Sequence, residues 1–157
     1  MLRKLTFFLL LLPALVLGQS RASRPVSDFH SLDLRGGFEV ELTQARGHSL
    51  EIEASEGLMD QIHTRVDDGV LIVETKGRIR EKEAIKLYIS SPTFRQIEAS
   101  GAVDLSATTP LAGRALAMNI SGAGDIDLAL ALDELRVDIS GAGDVRLKGE
   151  VDEVEYY

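Results

Sequence analysis

Apolar and polar residues alternate along the second half of the chain, and the alternation restarts at regular intervals. From Ile120 to Leu132 every second position is apolar or glycine, which is the period of a β-strand with one buried face. Two acidic residues, Asp133 and Glu134, interrupt the phase, and it resumes at Leu135. Each unit of this half is therefore predicted to contain two strand-like stretches separated by corners.

The other corner of each unit carries an octapeptide that occurs almost unchanged twice. It reads Asn-Ile-Ser-Gly-Ala-Gly-Asp-Ile at 119–126 and Asp-Ile-Ser-Gly-Ala-Gly-Asp-Val at 138–145, and a more divergent copy, Glu-Ala-Ser-Gly-Ala-Val-Asp-Leu, occupies 98–105. Repetition at roughly 20 residues is typical of solenoids, in which stacked units bury an apolar face that no unit buries alone. The pattern predicts an all-β fold, a right-handed parallel β-helix-like solenoid with an irregular β N-terminal half.

An antiparallel meander is the alternative arrangement for the same pattern. In that case the corner at Asp133 and Glu134 would be a tight hairpin, and the two flanking stretches would pair with each other. The parallel stack is favoured because it brings Ile120 next to Ile139 and places the paired glycines at a shared bend, where a glycine lets two backbones approach closely.

The first half of the chain alternates less regularly. Short alternating stretches predict strands at 38–42 and 50–54, with a turn at Gly36-Gly37 before the first of them. Residues 56–63 are predicted to form one helical turn, and Asp67-Asp68-Gly69 is a turn signal. This half is expected to cap the solenoid within the same domain.

The N-terminus has the composition of an export signal. Arg3 and Lys4 precede a short apolar run, so residues 1–18 are predicted to be a Sec-type signal peptide cleaved after Gly18. The apolar run is too short for a comfortable membrane span. We expect a polar leader at 19–27 and a single domain at 28–157, exported to the periplasm, the outer surface or the medium without membrane insertion. Because the chain has no cysteine, no lipoprotein anchor or disulfide is expected.

The charge is concentrated in the repeated half. The chain of 157 residues has a formal net charge of −8 at pH 7. Residues 98–157 contain twelve acidic and only four basic residues. This balance argues against nucleic acid and anionic lipid as partners, and it equally suits the solubility of an exported domain.

Several stretches together resemble the family of the putative auto-transporter adhesin head GIN domain, exported proteins of Gram-negative bacteria. The resemblance runs from residue 26 to the end. It is carried by Gly37-Phe-Glu-Val-Glu-Leu42, Asp68-Gly-Val-Leu-Ile-Val73, Ile85-Lys-Leu-Tyr-Ile-Ser-Ser-Pro92 and the Ser-Gly-Ala-Gly-Asp copies. The resemblance implies an all-β, β-helix-like fold and an adhesive role, and it supplies no catalytic residues. Family members are longer, so the domain is expected to be truncated at its C-terminus. There Val151–Tyr157 aligns with Leu132–Asp138, and the sequence stops one residue short of the Ile of a fourth octapeptide.

The aspartates of the octapeptides are the sharpest candidates for chemistry. Asp104, Asp125 and Asp144 hold equivalent places, and a column of their carboxylates could hold a hard cation such as calcium. The favoured interpretation is that each aspartate caps its own turn by accepting backbone N–H hydrogen bonds. We therefore predict no catalytic, cofactor-binding or metal-binding residue and no cofactor, with the ligand-binding residues left open.

Other sequence features point away from catalysis. The glycine pair lacks the third glycine and the helix of a dinucleotide site, and His30, His48 and His63 lack metal-ligand spacing. A carbohydrate-active enzyme on a β-helix, such as a polysaccharide lyase or hydrolase, would need clustered basic residues. The repeated half offers only Arg114, Arg136, Arg146 and Lys148.

We therefore expect a non-enzymatic, exported adhesion or binding module of the cell envelope, whose partner is a surface glycan or protein. The enzyme and a self-assembling structural β-helix are the alternatives. The oligomeric state stays open.

Overall fold

The chain is built almost entirely from β-strands in the computed structural model, which describes residues 20–77 and 84–157. Within these ranges there are ten strands and one helical turn, which confirms the all-β class. The strands are β1 (Ser20–Arg24), β2 (Ser31–Gln44), β3 (Ser49–Ala54), β4 (Ile62–Asp67), β5 (Val70–Thr75), β6 (Lys86–Ser91), β7 (Gln96–Ala107), β8 (Leu111–Ala123), β9 (Ile126–Ala142) and β10 (Val145–Tyr156), and the helix α1 (Glu56–Met59) follows β3. The predicted signal peptide at 1–18 lies outside the described residues.

All ten strands belong to one open, mixed sheet with the order β1-β3-β6-β2-β7-β8-β9-β10, and β5 and β4 extend it beside β2. Strand β2 is the centre of the arrangement, since it pairs in parallel with β5, β6 and β7. The partners of β2 come from both halves of the sequence. This long strand therefore joins the irregular half to the repeated half in one core.

The repeated half stacks in parallel, as the sequence predicts. Ile120 lies opposite Ile139 and Ser121 opposite Ser140 in the pairing of β8 with β9. Strand β10 pairs with β9 in the same sense, with Val145 opposite Ile126. The antiparallel meander is wrong for this half, because β9 runs unbroken through the acidic corner at Asp133 and Glu134.

Apolar side chains line up across the strands into continuous columns. One column crosses β5, β2, β7, β8 and β9 in that order and ends on β10. Its members are Leu71, Leu32, Ile97, Met118, Val137 and Tyr156. Its inner members are fully or almost fully buried. Each such aliphatic side chain contributes roughly 1.5–3 kcal/mol when buried. The columns are the physical reason for the register, since a shift by one residue would turn every apolar side chain outward.

The first half adds antiparallel pairs at the other edge of the sheet. Strand β3 pairs with β1 and with β6, and β4 forms a hairpin with β5 through Asp68 and Gly69, both of which have positive φ. The helical turn expected at 56–63 is shorter than predicted, because β4 already begins at Ile62.

One N-terminal segment differs from the expectation. The sequence predicts a polar leader at 19–27, whereas Ser20–Arg24 of that stretch forms the edge strand β1 in register with β3. The segment Ser-Arg-Ala-Ser-Arg has almost no apolar side chain, so its backbone hydrogen bonds, rather than burial, hold it on the sheet.

Candidate functional site

The octapeptide corners bring four glycines into one column. Gly36, Gly101, Gly122 and Gly141 are paired in register across β2, β7, β8 and β9. A Cβ atom on Gly141 would lie 1.7 Å from the carbonyl oxygen of Gly122, and one on Gly122 would lie 2.0 Å from that of Gly101. Only glycine permits this approach, and a Cβ on Gly101 would likewise lie 2.3 Å from the carbonyl oxygen of Gly36.

The sequence pattern does not reveal the first member of this column. It predicts a turn at Gly36-Gly37 before a strand, but β2 continues through both residues. Gly36 lies opposite Gly101, and Phe38 lies opposite Val103. The sequence signal for this position is a spacing. Gly36 lies two residues before Phe38 and three before Glu39, as Gly101 lies two before Val103 and three before Asp104. That signal is weak, because 65 residues separate it from the next copy and no period connects them.

The predicted aspartate column exists, and its carboxylates bind backbone. The Oδ1 atom of Asp104 accepts a hydrogen bond from the backbone N–H of Asp125 at 2.9 Å. Oδ1 of Asp125 accepts one from the N–H of Asp144 at 3.0 Å. The sequence favoured capping within each turn, whereas these bonds join one octapeptide to the next. The aspartates thereby fix the corner of each unit on its neighbour.

Polar columns flank the glycine corner on the outer surface. A first groove of about 450 Å³ lies on one side. Two columns of polar residues form it: Asp33, Glu98, Asn119 and Asp138 in one, and Arg35, Ser100, Ser121 and Ser140 in the other. Arg35 forms an ion pair and a hydrogen bond with Asp33. The hydrogen bond is the main cause of the raised pKa of Arg35, and the negative charge of Asp33 is the second cause.

A second groove, of about 410 Å³, lies on the other side of the corner. Its polar lining residues are Glu39, Glu41, Lys86, Tyr88, Asp104, Ser106, Asp125 and Asp127. Lys86 is the basic residue of this lining, and it is paired with Glu39 at 3.0 Å. That contact raises the pKa of Lys86 and leaves the groove with a net negative charge.

Tyr88 is the aromatic residue of the second groove, and two neighbours hold its ring in place. Its hydroxyl donates a hydrogen bond to Glu53 at 3.1 Å, which is the main reason why the pKa of Tyr88 is raised. The guanidinium of Arg21 lies 3.9 Å from the ring centroid. Arg21 also bonds to Glu51 through Nε at 2.6 Å. The ring is therefore pre-positioned at the wall of the groove.

The remaining sequence candidates are dispersed over the structure. His48 packs edge-on against Phe29 with 5.1 Å between ring centroids, and His63 is exposed on β4. Three of the four basic residues of the repeated half are ion-paired to acids: Arg136 with Glu134 and Glu155, Arg146 with Asp144, and Lys148 with Asp127. The basic groups that a lyase mechanism needs are thus engaged separately.

Two further findings concern ions and membranes. Within residues 20–77 and 84–157, no group of three or more histidine, aspartate or glutamate side chains is arranged to hold a metal ion. In the same part of the chain, no helix has the length and apolar character of a membrane span.

Replacing Asp125 tests the link between octapeptides. We expect Asp125→Ala to lower the free energy of unfolding by about 1 kcal/mol, because the N–H of Asp144 loses its acceptor. Asp125→Asn retains a side-chain oxygen and should stay within about 0.5 kcal/mol of the parent. Urea denaturation measures both. Asp152→Ala, at an exposed position of β10, is the control, and equal losses for Asp125→Ala and Asp125→Asn would contradict the interpretation.

These observations define an all-β protein whose parallel strands present ordered polar columns on an open surface. The chain belongs to the family described as "Putative auto-transporter adhesin, head GIN domain", which matches residues 28–157. No protein of curated function matches this sequence.

Solved structures share the fold. A "putative adhesin" from Bacteroides fragilis superposes with a TM-score of 0.80 at 24% identity, over 87% of this chain and 65% of that one. A "putative lipid binding protein" from Parabacteroides distasonis gives a TM-score of 0.79 at 17% identity, over 88% of this chain and 62% of that one. Another "putative adhesin" from Parabacteroides distasonis gives 0.70 at 19% identity. This chain spans less than two thirds of the length of the first two proteins.

Proposed function

We propose that the protein is an exported, non-enzymatic binding module of the bacterial cell envelope, and that its grooves hold a neutral surface glycan. The second groove carries this proposal. It combines a fixed aromatic ring, Tyr88, with the outward-facing carboxylates of Glu41 and Asp127. Lys86 is paired with Glu39, and Asp127 keeps one oxygen beyond its ion pair with Lys148. Carboxylates accept hydrogen bonds from sugar hydroxyls, and an aromatic ring offers a flat apolar surface beside them.

The charge of the grooves narrows the ligand class. Both grooves have more acidic than basic lining residues, so acidic polysaccharides, nucleic acid and anionic lipid head groups are repelled. A neutral, hydroxyl-rich chain meets no such penalty. The regular spacing of polar residues, about 4.8 Å from strand to strand, also suits an extended ligand better than a compact one.

The fold itself is part of the proposal. We propose that 28–157 is one domain and that the parallel strands wind as a right-handed β-helix-like solenoid. The in-register pairing of β8, β9 and β10 supports this winding, since parallel crossovers are right-handed in nearly all proteins. An experimental density map with left-handed connections between these strands would refute it.

A glycan array with purified residues 19–157 tests the binding function. We expect retention of neutral glycans and none of sulfated or uronic-acid chains. The double variant Glu41→Ala/Asp127→Ala should bind a retained glycan about a hundredfold more weakly or worse, because each lost charge-assisted hydrogen bond costs about 1.5–3 kcal/mol and tenfold in affinity corresponds to about 1.4 kcal/mol. Glu150→Ala, an exposed acid on β10 outside both grooves, should bind as the parent does.

Two outcomes would overturn the proposal. If the double variant and Glu150→Ala bind alike, the second groove is not the site. If the pure protein releases reducing ends or unsaturated products from any polysaccharide, the module is an enzyme after all. Retention on phosphatidylcholine vesicles without any glycan binding would replace the glycan by a lipid as the ligand.

A further inference from the structure

We propose that strand β1 controls ligand binding in the second groove, because its residue Arg21 positions the aromatic ring of Tyr88. The inference rests on the proposed function, since it concerns the same groove. Arg21 stands outside the residues that line the groove, and its Cζ atom lies 3.9 Å from the centroid of the ring that does line it. It is therefore a positioning residue, which acts on a ligand through Tyr88.

The register of the strands places Arg21 and the groove on opposite sides of β6. The sheet order here is β1-β3-β6-β2. Tyr88 of β6 lies opposite Glu51 of β3 on one side and opposite Glu41 of β2 on the other. Arg21 reaches the ring from the side of β3, and the groove with Glu41 opens on the side of β2. The guanidinium thus supports the ring from behind and leaves the groove to the ligand.

Two carboxylates of β3 complete this support. Glu53 accepts a hydrogen bond from the hydroxyl of Tyr88 at 3.1 Å, and Glu51 accepts one from Nε of Arg21 at 2.6 Å. A guanidinium over a ring is attracted by the electrons of the ring face. The bond to Glu53 is the main cause that raises the pKa of Tyr88, whereas the positive charge of Arg21 lowers it. The phenol therefore reports whether Arg21 is in place.

Strand β1 is weakly held, which makes its support of the ring conditional. It pairs with β3 from Ser20 to Arg24, and alanine is the one apolar residue in its sequence Ser-Arg-Ala-Ser-Arg. The side chains of Arg21 and Glu51 are 51% and 41% exposed, and ion pairs at such exposure contribute little and weaken with salt. Segments with few buried apolar contacts open more readily than the core. We therefore expect the ring to lose its support while the rest of the sheet stays folded.

The salt dependence of binding to a neutral glycan tests this control. A glycan that the purified protein retains is titrated at about 50 mM and about 500 mM sodium chloride, where the screening of exposed charges differs strongly. Contacts with an uncharged ligand respond little to salt. We expect affinity to fall about two- to threefold at the higher concentration, because the pair of Arg21 and Glu51 is screened.

Variants of β1 assign this effect to one residue. Arg21→Ala should bind about fivefold more weakly than the parent at low salt and show no further loss at high salt, because the ring is no longer held in advance. Arg21→Lys keeps the charge without the planar group and should fall between the two. Ser23→Ala changes the other outward-facing residue of β1 and should bind as the parent does, with the same response to salt.

The ring itself supplies a measurement without ligand. Replacing Tyr156 and Tyr157 by phenylalanine leaves Tyr88 as the one tyrosine of the chain, so its phenol is titrated by ultraviolet absorbance. In this background Arg21→Ala should raise the pKa of Tyr88 and Glu53→Gln should lower it, in line with the two influences. A change of fold alone does not produce shifts of opposite sign.

The outcomes separate this inference from the proposed function. Unchanged binding by Arg21→Ala, an affinity of the parent that is the same at both salt concentrations, or an unchanged Tyr88 pKa in Arg21→Ala overturns the inference and leaves the glycan site standing. Tighter binding by Arg21→Ala also overturns it, since the guanidinium would then block the ring. A parent protein that retains no glycan removes the proposed function and this inference together.

Discussion

Gly122→Ala is expected to be among the most damaging single substitutions in the repeated half. The new Cβ would lie 2.0 Å from the carbonyl oxygen of Gly101, and φ at this residue is +140°, a region that is essentially limited to glycine. The obstacle is backbone held by hydrogen bonds on both sides, so it cannot rotate away. We expect a loss of more than about 4 kcal/mol of unfolding free energy, measured by urea denaturation.

Gly113→Ala is the matched control for this substitution. Gly113 lies on the same strand, β8, but nothing lies within 4 Å of a Cβ built on it. The change should stay within about 0.5 kcal/mol of the parent or stabilise slightly, since alanine restricts the unfolded chain more than glycine does. A small effect at Gly122, comparable to that at Gly113, would show that the strands do not approach each other as closely as described.

Ile97→Ala is expected to have the second largest effect. Ile97 is 0% exposed and lies between Leu32 and Met118 in the longest apolar column. Truncation removes three carbon atoms from the middle of this column and leaves a cavity that the flanking strands cannot close. We expect a loss of about 3–4 kcal/mol, measured by the same denaturation experiment.

Val154→Ala shows what the same kind of truncation does at the end of a column. Val154 is 59% exposed, so little apolar area returns to water and the change should cost less than about 0.5 kcal/mol. A loss at Val154 as large as that at Ile97 would contradict the assignment of the column end.

The sequence predicted the part of the fold in which each local preference agrees with its neighbours. In the octapeptides, the apolar phase, the glycines and the aspartates all repeat together, so in-register stacking of Ile120 on Ile139 followed from the pattern. The existence of strand β1 could not be predicted, because Arg21 and Arg24 give no apolar signal and the strand is held by its backbone. The place of Gly36 in the glycine column could not be predicted either, because its partner Gly101 is too far along the chain to reveal a period.

The grooves were less accessible to sequence reasoning than the fold. The second groove combines Tyr88 from β6 with Glu41 from β2 and Asp127 from β9. Each of these residues looks like an ordinary outward position of its own strand. They reach one surface only because β2 pairs with both β6 and β7 and because β7 pairs with β9, which places Asp127 opposite Ser106. The pairings of β2 join segments that are more than 40 residues apart.

The near identity of two octapeptides has a consequence for how the chain folds. The segments at 119–126 and 138–145 carry the same glycines and aspartates and similar aliphatic residues, 19 residues apart. In a folding intermediate, a strand can therefore pair with either segment. A strand that docks on the wrong copy satisfies most local preferences and buries nearly as much apolar surface, so it is a kinetic trap. The divergent copy, with Val103 where the others have glycine, differs enough to mark the correct starting point next to β2. We therefore expect the divergence of that one copy to disfavour misregistration during folding.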